Sequence, residues 1–152
     1  MTTRPAARTL AAAPLSRDHA RLEARLALGL LAAHRAATAW DVASLGVLKR
    51  ALVHMQAASP DGLADAYAAF HLSVARAARN PVLEACLSVL MPGAVQAIAE
   101  DAPSPELVRR WLDQHDELVR CVTGRDARGS VLAMAAHLDP QERYRAFVRD
   151  LL

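Results

Sequence analysis

The sequence predicts an all-α fold, and three observations carry that expectation. Alanine and leucine dominate while aromatic residues make up only 4% of the chain, so local propensity favours helix nearly throughout. Apolar residues recur at helical spacing in one segment after another. Between these segments stand Ser-Pro, Asn-Pro and Asp-Pro pairs, which stop one helix and start the next.

At 152 residues the chain is long enough to bury a core. One domain is expected over residues 16–152, behind a mobile tail. Residues 1–15 hold Arg4, Pro5, Arg8 and Pro14 with no acidic residue, and lack the continuous apolar core of a signal peptide. The longest clean apolar run, residues 26–33, falls short of the ~18 residues of a membrane span. A cytoplasmic protein is expected.

Ser16 can cap a first helix over residues 17–37 with Leu22, Leu26, Leu30 and Ala33 on one face. Thr38, with Asp41 three residues on, resembles a cap for a second helix through Leu45, Leu48, Leu52 and Met55. Ser59-Pro60 opens a third to Arg79, turning Leu63, Tyr67, Phe70, His71, Val74 and Ala78 inward. Asn80-Pro81 opens a short helix through Leu83, Leu87 and Leu90 that Pro92-Gly93 should interrupt.

Ser104-Pro105 begins the most amphipathic stretch. Val108, Trp111, Leu112, His115, Leu118, Val119 and Val122 form its inner stripe, so His115 faces inward. After a turn at Thr123-Gly124-Arg125, Asp126 caps a helix carrying His137. Asp139-Pro140, with Glu142 three residues after the cap, opens a last helix to Leu152. Six or seven helices are expected, antiparallel and joined by short turns.

The formal charge of +2 comes from basic residues that, Lys49 aside, are all arginine. They alternate with Asp and Glu, which is not a nucleic-acid signature. Cys86 and Cys121 lie in apolar patterns without C-x-x-C spacing, and buried free thiols are the expectation.

Of six histidines, His19 and His34 sit among charged neighbours and His54 beside apolar positions, where a local hydrogen bond satisfies an imidazole. His71, His115 and His137 each belong to the apolar stripe of a different helix. Singly, each reads as a core histidine with a donor and an acceptor nearby. Together, they suggest a divalent metal site, because imidazole nitrogen suits zinc, nickel and iron and three packed helices fix three lone-pair directions. Antiparallel packing about the 123–125 turn brings His115 and His137 to similar heights.

Phe70-His71, Asn80-Pro81, His115, Asp126 and Ala136-His137-Leu138 together resemble the FCD domain, the effector-binding domain of FadR-type GntR transcription regulators. The intervals, 115 − 71 = 44 and 137 − 115 = 22, match the order of that family's metal histidines. The segment 32–36, ending the first helix, is also similar. The resemblance implies a helical bundle around a cavity, a divalent metal held by His71, His115 and His137 with zinc or nickel as the expected ion, a small carboxylate effector, and a homodimer. It further implies that Arg21 grips the effector's far end. Three neutral imidazoles leave the ion's charge uncompensated, so an anion is a natural partner.

Two departures stand out. The family commonly places an acidic residue one turn before its first histidine, whereas this chain has Tyr67 there, as a candidate ligand contact, and Asp65 on another face. The family's winged helix-turn-helix also has no counterpart, since residues 1–15 are too short for one, and this chain alone is not expected to bind DNA. Two alternatives remain open: a metalloenzyme that uses the same histidines to activate water, and a metal-free dimerisation module. Asp116 and Glu117 adjoin His115, but helical geometry turns both away from it.

Overall fold

In the computed structural model, which describes residues 16–152, the chain forms seven α-helices, with no strand among the described residues. The tail expected over residues 1–15 lies outside them. Helix α1, Arg17–Ala39, begins where the Ser16 hydroxyl accepts the His19 N–H, and buries Leu26, Leu30, Ala33 and Ala37. Helix α2, Val42–Gln56, buries Leu45, Leu48, Leu52 and Met55.

The cap of α2 is Asp41 rather than Thr38. The Asp41 carboxylate accepts the Ser44 N–H at 2.8 Å while Ser44 Oγ accepts the Asp41 N–H at 3.1 Å. Thr38 stays inside α1, its hydroxyl donating back to the carbonyls of His34 and Arg35. Trp40 decides between the two sites: its backbone is extended, and its indole N–H donates to the Val122 carbonyl at 2.9 Å, fixing the corner after α1.

Ser59 caps a single 3-10 turn, Pro60–Gly62, which leads into α3, Leu63–Ala77. The third helix ends two residues before the expected Arg79, because Arg79 turns left-handed (φ 52°) and pairs with Asp41.

Pro92 and Gly93 do not interrupt the fourth helix: α4 runs unbroken over Pro81–Glu100. An interior proline costs about 3 kcal/mol of helix stability. Leu83, Leu87 and Met91 before the proline are buried against the bundle, and Ala94 and Ile98 beyond it pack half-buried on the same core, which offsets it. Joined across Pro92, α4 is long and apolar enough to cross a membrane by length and composition, with a mean hydropathy of 1.7, contrary to the sequence expectation. Within the fold it packs on α3 and α1.

Helices α5, Pro105–Thr123, and α6, Ala127–Leu138, start where expected, at Ser104 and Asp126. Left-handed Arg125 (φ 57°) makes the turn between them, and its guanidinium stacks over Trp40 at 4.0 Å. The last helix, α7, is only Arg145–Asp150. The Asp139 carboxylate is used on a turn instead, accepting the N–H groups of Arg143 and Tyr144, and Glu142 is left-handed there. Both cysteines are free; Cys121 is buried as expected, but Cys86 is exposed on α4.

Helix α3 lies against α1, α2 and α4, while α6 lies against α1 and α5. Helix α1 lies against α3, α5 and α6 alike, and the inward stripes of those three helices carry the three histidines, which come together at the centre.

Candidate metal centre

His71 on α3, His115 on α5 and His137 on α6 are all buried, His115 completely. His71 Nε2 and His115 Nε2 each lie 3.2 Å from His137 Nε2. Two ligands about 2.05 Å from a tetrahedral ion stand roughly 3.3 Å apart. The nitrogens therefore have the spacing that a metal requires. One atom from each residue falls within 4.8 Å of the others.

The outer edges of two rings determine which nitrogen faces the cluster. Gln114 Nε2 donates to the Ala136 carbonyl at 3.1 Å, so its Oε1 must be the atom that meets His137 Nδ1 at 3.0 Å. That oxygen can only accept, which places the imidazole proton on Nδ1 and leaves the Nε2 lone pair inward. His115 Nδ1 faces the Met55 sulfur at 3.2 Å, a weak acceptor, and follows the same logic. Phe70 stacks on His115 with ring centroids 4.1 Å apart and fixes its plane.

Burial, first, and then the positive charge of Arg25 hold the three imidazoles neutral. His115 is lowered to about 3, and His71 and His137 fall well below the usual histidine range, His137 helped more by His115 than by Arg25. Neutral imidazole is the ligand form. The residues present therefore fit a bound metal ion.

Tyr67, one turn before His71, is buried with its hydroxyl 2.8 Å from His137 Nε2. Arg25 Nη2 donates to the same oxygen. Asp65, Asp116 and Glu117 are exposed, and Glu117 is engaged by Arg120. Arg21 is exposed and lies 3.9 Å from Asp18. Arg25, one turn further along α1, is the arginine that reaches the cluster.

Sequence reasoning passed over Arg25, Gln114 and Met55. Arg25 had a signal, since it shares a face with Arg21 four residues earlier. Gln114 had only its adjacency to His115.

Beside the cluster lies a cavity of about 250 Å³ walled by Arg25, Tyr67, Ile98, Asp101, Leu107 and Trp111, among others. It has room for about eight water volumes. Among the described residues, buried Arg25 Nε has no hydrogen-bond partner.

These features define an all-α domain with a central histidine cluster able to hold a metal ion. The FCD domain family model matches residues 20–140, and the chain belongs to that family. It is accordingly a ligand-sensing regulatory domain of the GntR type, a class of regulators that are not enzymes. No curated protein and no solved structure matches the chain.

Proposed function

We propose that the domain senses a small organic acid at a divalent metal, zinc or nickel, held by His71, His115 and His137. The observation that carries this reading is the convergence of three Nε2 atoms, of which those of His115 and His137 turn a lone pair inward because their Nδ1 atoms face acceptors. Lone pairs aimed at one point repel one another unless a cation or a donated proton lies between them.

The bound ion supplies a Lewis-acid position for a carboxylate oxygen. Tyr67 and Arg25 line the adjoining cavity and receive the rest of the acid. The unpartnered Arg25 Nε is a donor in waiting, and a guanidinium binds a carboxylate with two parallel hydrogen bonds. Arg21, the sequence candidate for this task, lies near the start of α1, 3.9 Å from Asp18.

The reading includes a homodimer in the cytoplasm, with DNA contacted through a winged-helix segment or partner. Helix α4 exposes Val82 and Val89, an apolar face open to such pairing.

One observation favours a metal-free binding module as the second reading. The Tyr67 hydroxyl is placed to donate to His137 Nε2 and so satisfies one lone pair without an ion.

Elemental analysis of protein purified without chelator separates the two, with His115→Ala alongside. About one equivalent of metal in the parent and none in the variant is expected, followed by a metal-dependent rise in Tm with added carboxylates. Equal metal in both proteins overturns the assignment. No uptake by the parent, even with excess zinc or nickel, leaves the metal-free module.

A further inference from the structure

Helices α4 and α5 follow one another in the chain but do not pack together: α4 lies on α3 and α1, and α5 on α2, α6 and α1. Between the end of α4 and the start of α5 is a cleft of about 660 Å³, bounded also by the end of α2 and by the 3-10 turn that leads into α3. Its size is ordinary for a small-molecule site. It shares only Ile98 and Pro103 with the cavity beside Arg25; Leu107 and Trp111 of α5 face that cavity, whereas Val108 and Leu112 face this cleft.

The floor of the cleft is apolar. Met55 and Leu63 are buried, but Ile98, Val108 and Leu112 are only half-buried and leave apolar surface open to it. The Met55 sulfur turns to His115 Nδ1 at 3.2 Å, so this side chain stands between the cleft and the histidine cluster. Pro60, Pro103 and Pro105 restrict the backbone of the rim, which favours a preformed site.

The rim carries one charge of each sign. Asp61 is on the 3-10 turn and Arg109 on α5, and both are exposed. Among the described residues, neither is in an ion pair, with the other or elsewhere. A molecule with both a carboxylate and an ammonium answers the two together: the carboxylate accepts two parallel hydrogen bonds from the guanidinium, and the ammonium donates to Asp61. An acid without the ammonium meets Asp61 as a like charge.

We propose that this cleft is a second ligand site, distinct from the histidine centre, and that it takes a zwitterion with a large apolar body, the chemistry of a free aromatic amino acid or an apolar dipeptide. The charged ends meet Arg109 and Asp61, and the apolar body covers Ile98, Val108 and Leu112. Binding there requires no metal.

Isothermal titration of the intact, chelator-treated chain tests this with the central site empty of metal. L-phenylalanine and L-leucyl-L-leucine are the probes, and phenylpropanoate and phenethylamine each lack one of the two charges. At least one zwitterion should bind at about one per chain, and both single-charge compounds at least about tenfold more weakly. The tighter zwitterion distinguishes amino acid from dipeptide.

Arg109→Gln and Asp61→Asn should each weaken that binding by about tenfold or more. Ala102→Trp, at an exposed position on the wall, should abolish it by filling the space. Arg110→Gln, on the next residue of α5 and outside the cleft, should leave it unchanged. No saturable binding of either zwitterion overturns the proposal, as does a single-charge compound that binds as tightly as the better zwitterion. A loss in Arg25→Ala as large as in Arg109→Gln places the ligand in the other cavity and also overturns it. Metal uptake by the parent is read separately, so each of these results leaves the three-histidine reading standing.

Discussion

His137 Nδ1 donates to Gln114 Oε1 at 3.0 Å, and this contact presents the opposite nitrogen of His137 to His71 and His115. Gln114 is adjacent in sequence to His115, so one turn of α5 supplies one imidazole and orients another. Replacing Gln114 with Leu keeps the bulk and removes the acceptor. Loss of such an outer partner typically weakens metal binding by about 10–100-fold. Competition titration against a chelator should show that loss while circular dichroism remains helical. Parent-like affinity in Gln114→Leu would mean that packing alone orients the ring.

Metal-free protein should be sensitive to mild acid. The folded state keeps His71, His115 and His137 neutral well below the ordinary value of 6.5, with His115 at about 3. Between those limits the unfolded chain binds protons that the folded chain refuses, so stability falls as pH falls through 6.5 and is level above it. Each histidine contributes a slope of up to about 1.4 kcal/mol per pH unit. Chelator-treated protein should lose Tm steadily from pH 7 to pH 5, and His71→Gln should make the decline shallower. A flat Tm over that range contradicts buried neutral imidazoles.

Gly129 provides a test of the turn that sets His137 at its height. Gly-to-Ala inside a helix normally stabilises by about 1 kcal/mol. Here an added Cβ would collide with the Asp126 carboxylate and come within 2.9 Å of buried Cys121 Sγ. Asp126 caps α6 by accepting the Gly129 N–H at 2.8 Å, and losing a cap costs about 1 kcal/mol. Gly129→Ala should therefore lower Tm in the parent, and lower it by less in an Asp126→Ala background, where the Cys121 contact alone remains. A raised Tm in the parent shows that the carboxylate moves aside freely.

The three histidines were legible because each occupies an apolar stripe of fixed period, and the short 123–125 turn sets two of them at matching heights. Tyr67 and the cap residues Ser16, Asn80, Ser104 and Asp126 were legible for the same local reason. What escaped depends on the relative phase of separate helices. Gln114 and Met55 acquire their roles only once α6 and α2 lie against α5, and Arg25 only once α1 crosses α3. Pro92 misled because local propensity ends a helix that packing on both sides of the proline, through buried Met91 before it and half-buried Ala94 and Ile98 after it, holds together. At the first corner, Thr38 and Asp41 offered competing caps, and the distant Val122 carbonyl, through Trp40, selected Asp41.

The two arginines of α1 lead to opposite expectations for the ligand. Arg21 is half exposed and spends its charge near Asp18 in solvent, where a pair contributes about 0–1 kcal/mol at most. Arg25 lines the cavity, donates to Tyr67 and keeps Nε unpartnered. A hydrogen bond to a charged group contributes about 1.5–3 kcal/mol, so Arg25→Ala should weaken carboxylate binding by about 10–100-fold, whereas Arg21→Ala should leave it within about twofold. Isothermal titration of metal-loaded variants with one acid that raises the parent's Tm distinguishes them. Metal stoichiometry should be unchanged in both, because the three Nε2 atoms remain. Equal losses in the two variants would mean that positive charge at the N-terminal half of α1, rather than a specific guanidinium, attracts the acid; loss through Arg21 alone would restore the more exposed arginine as its partner.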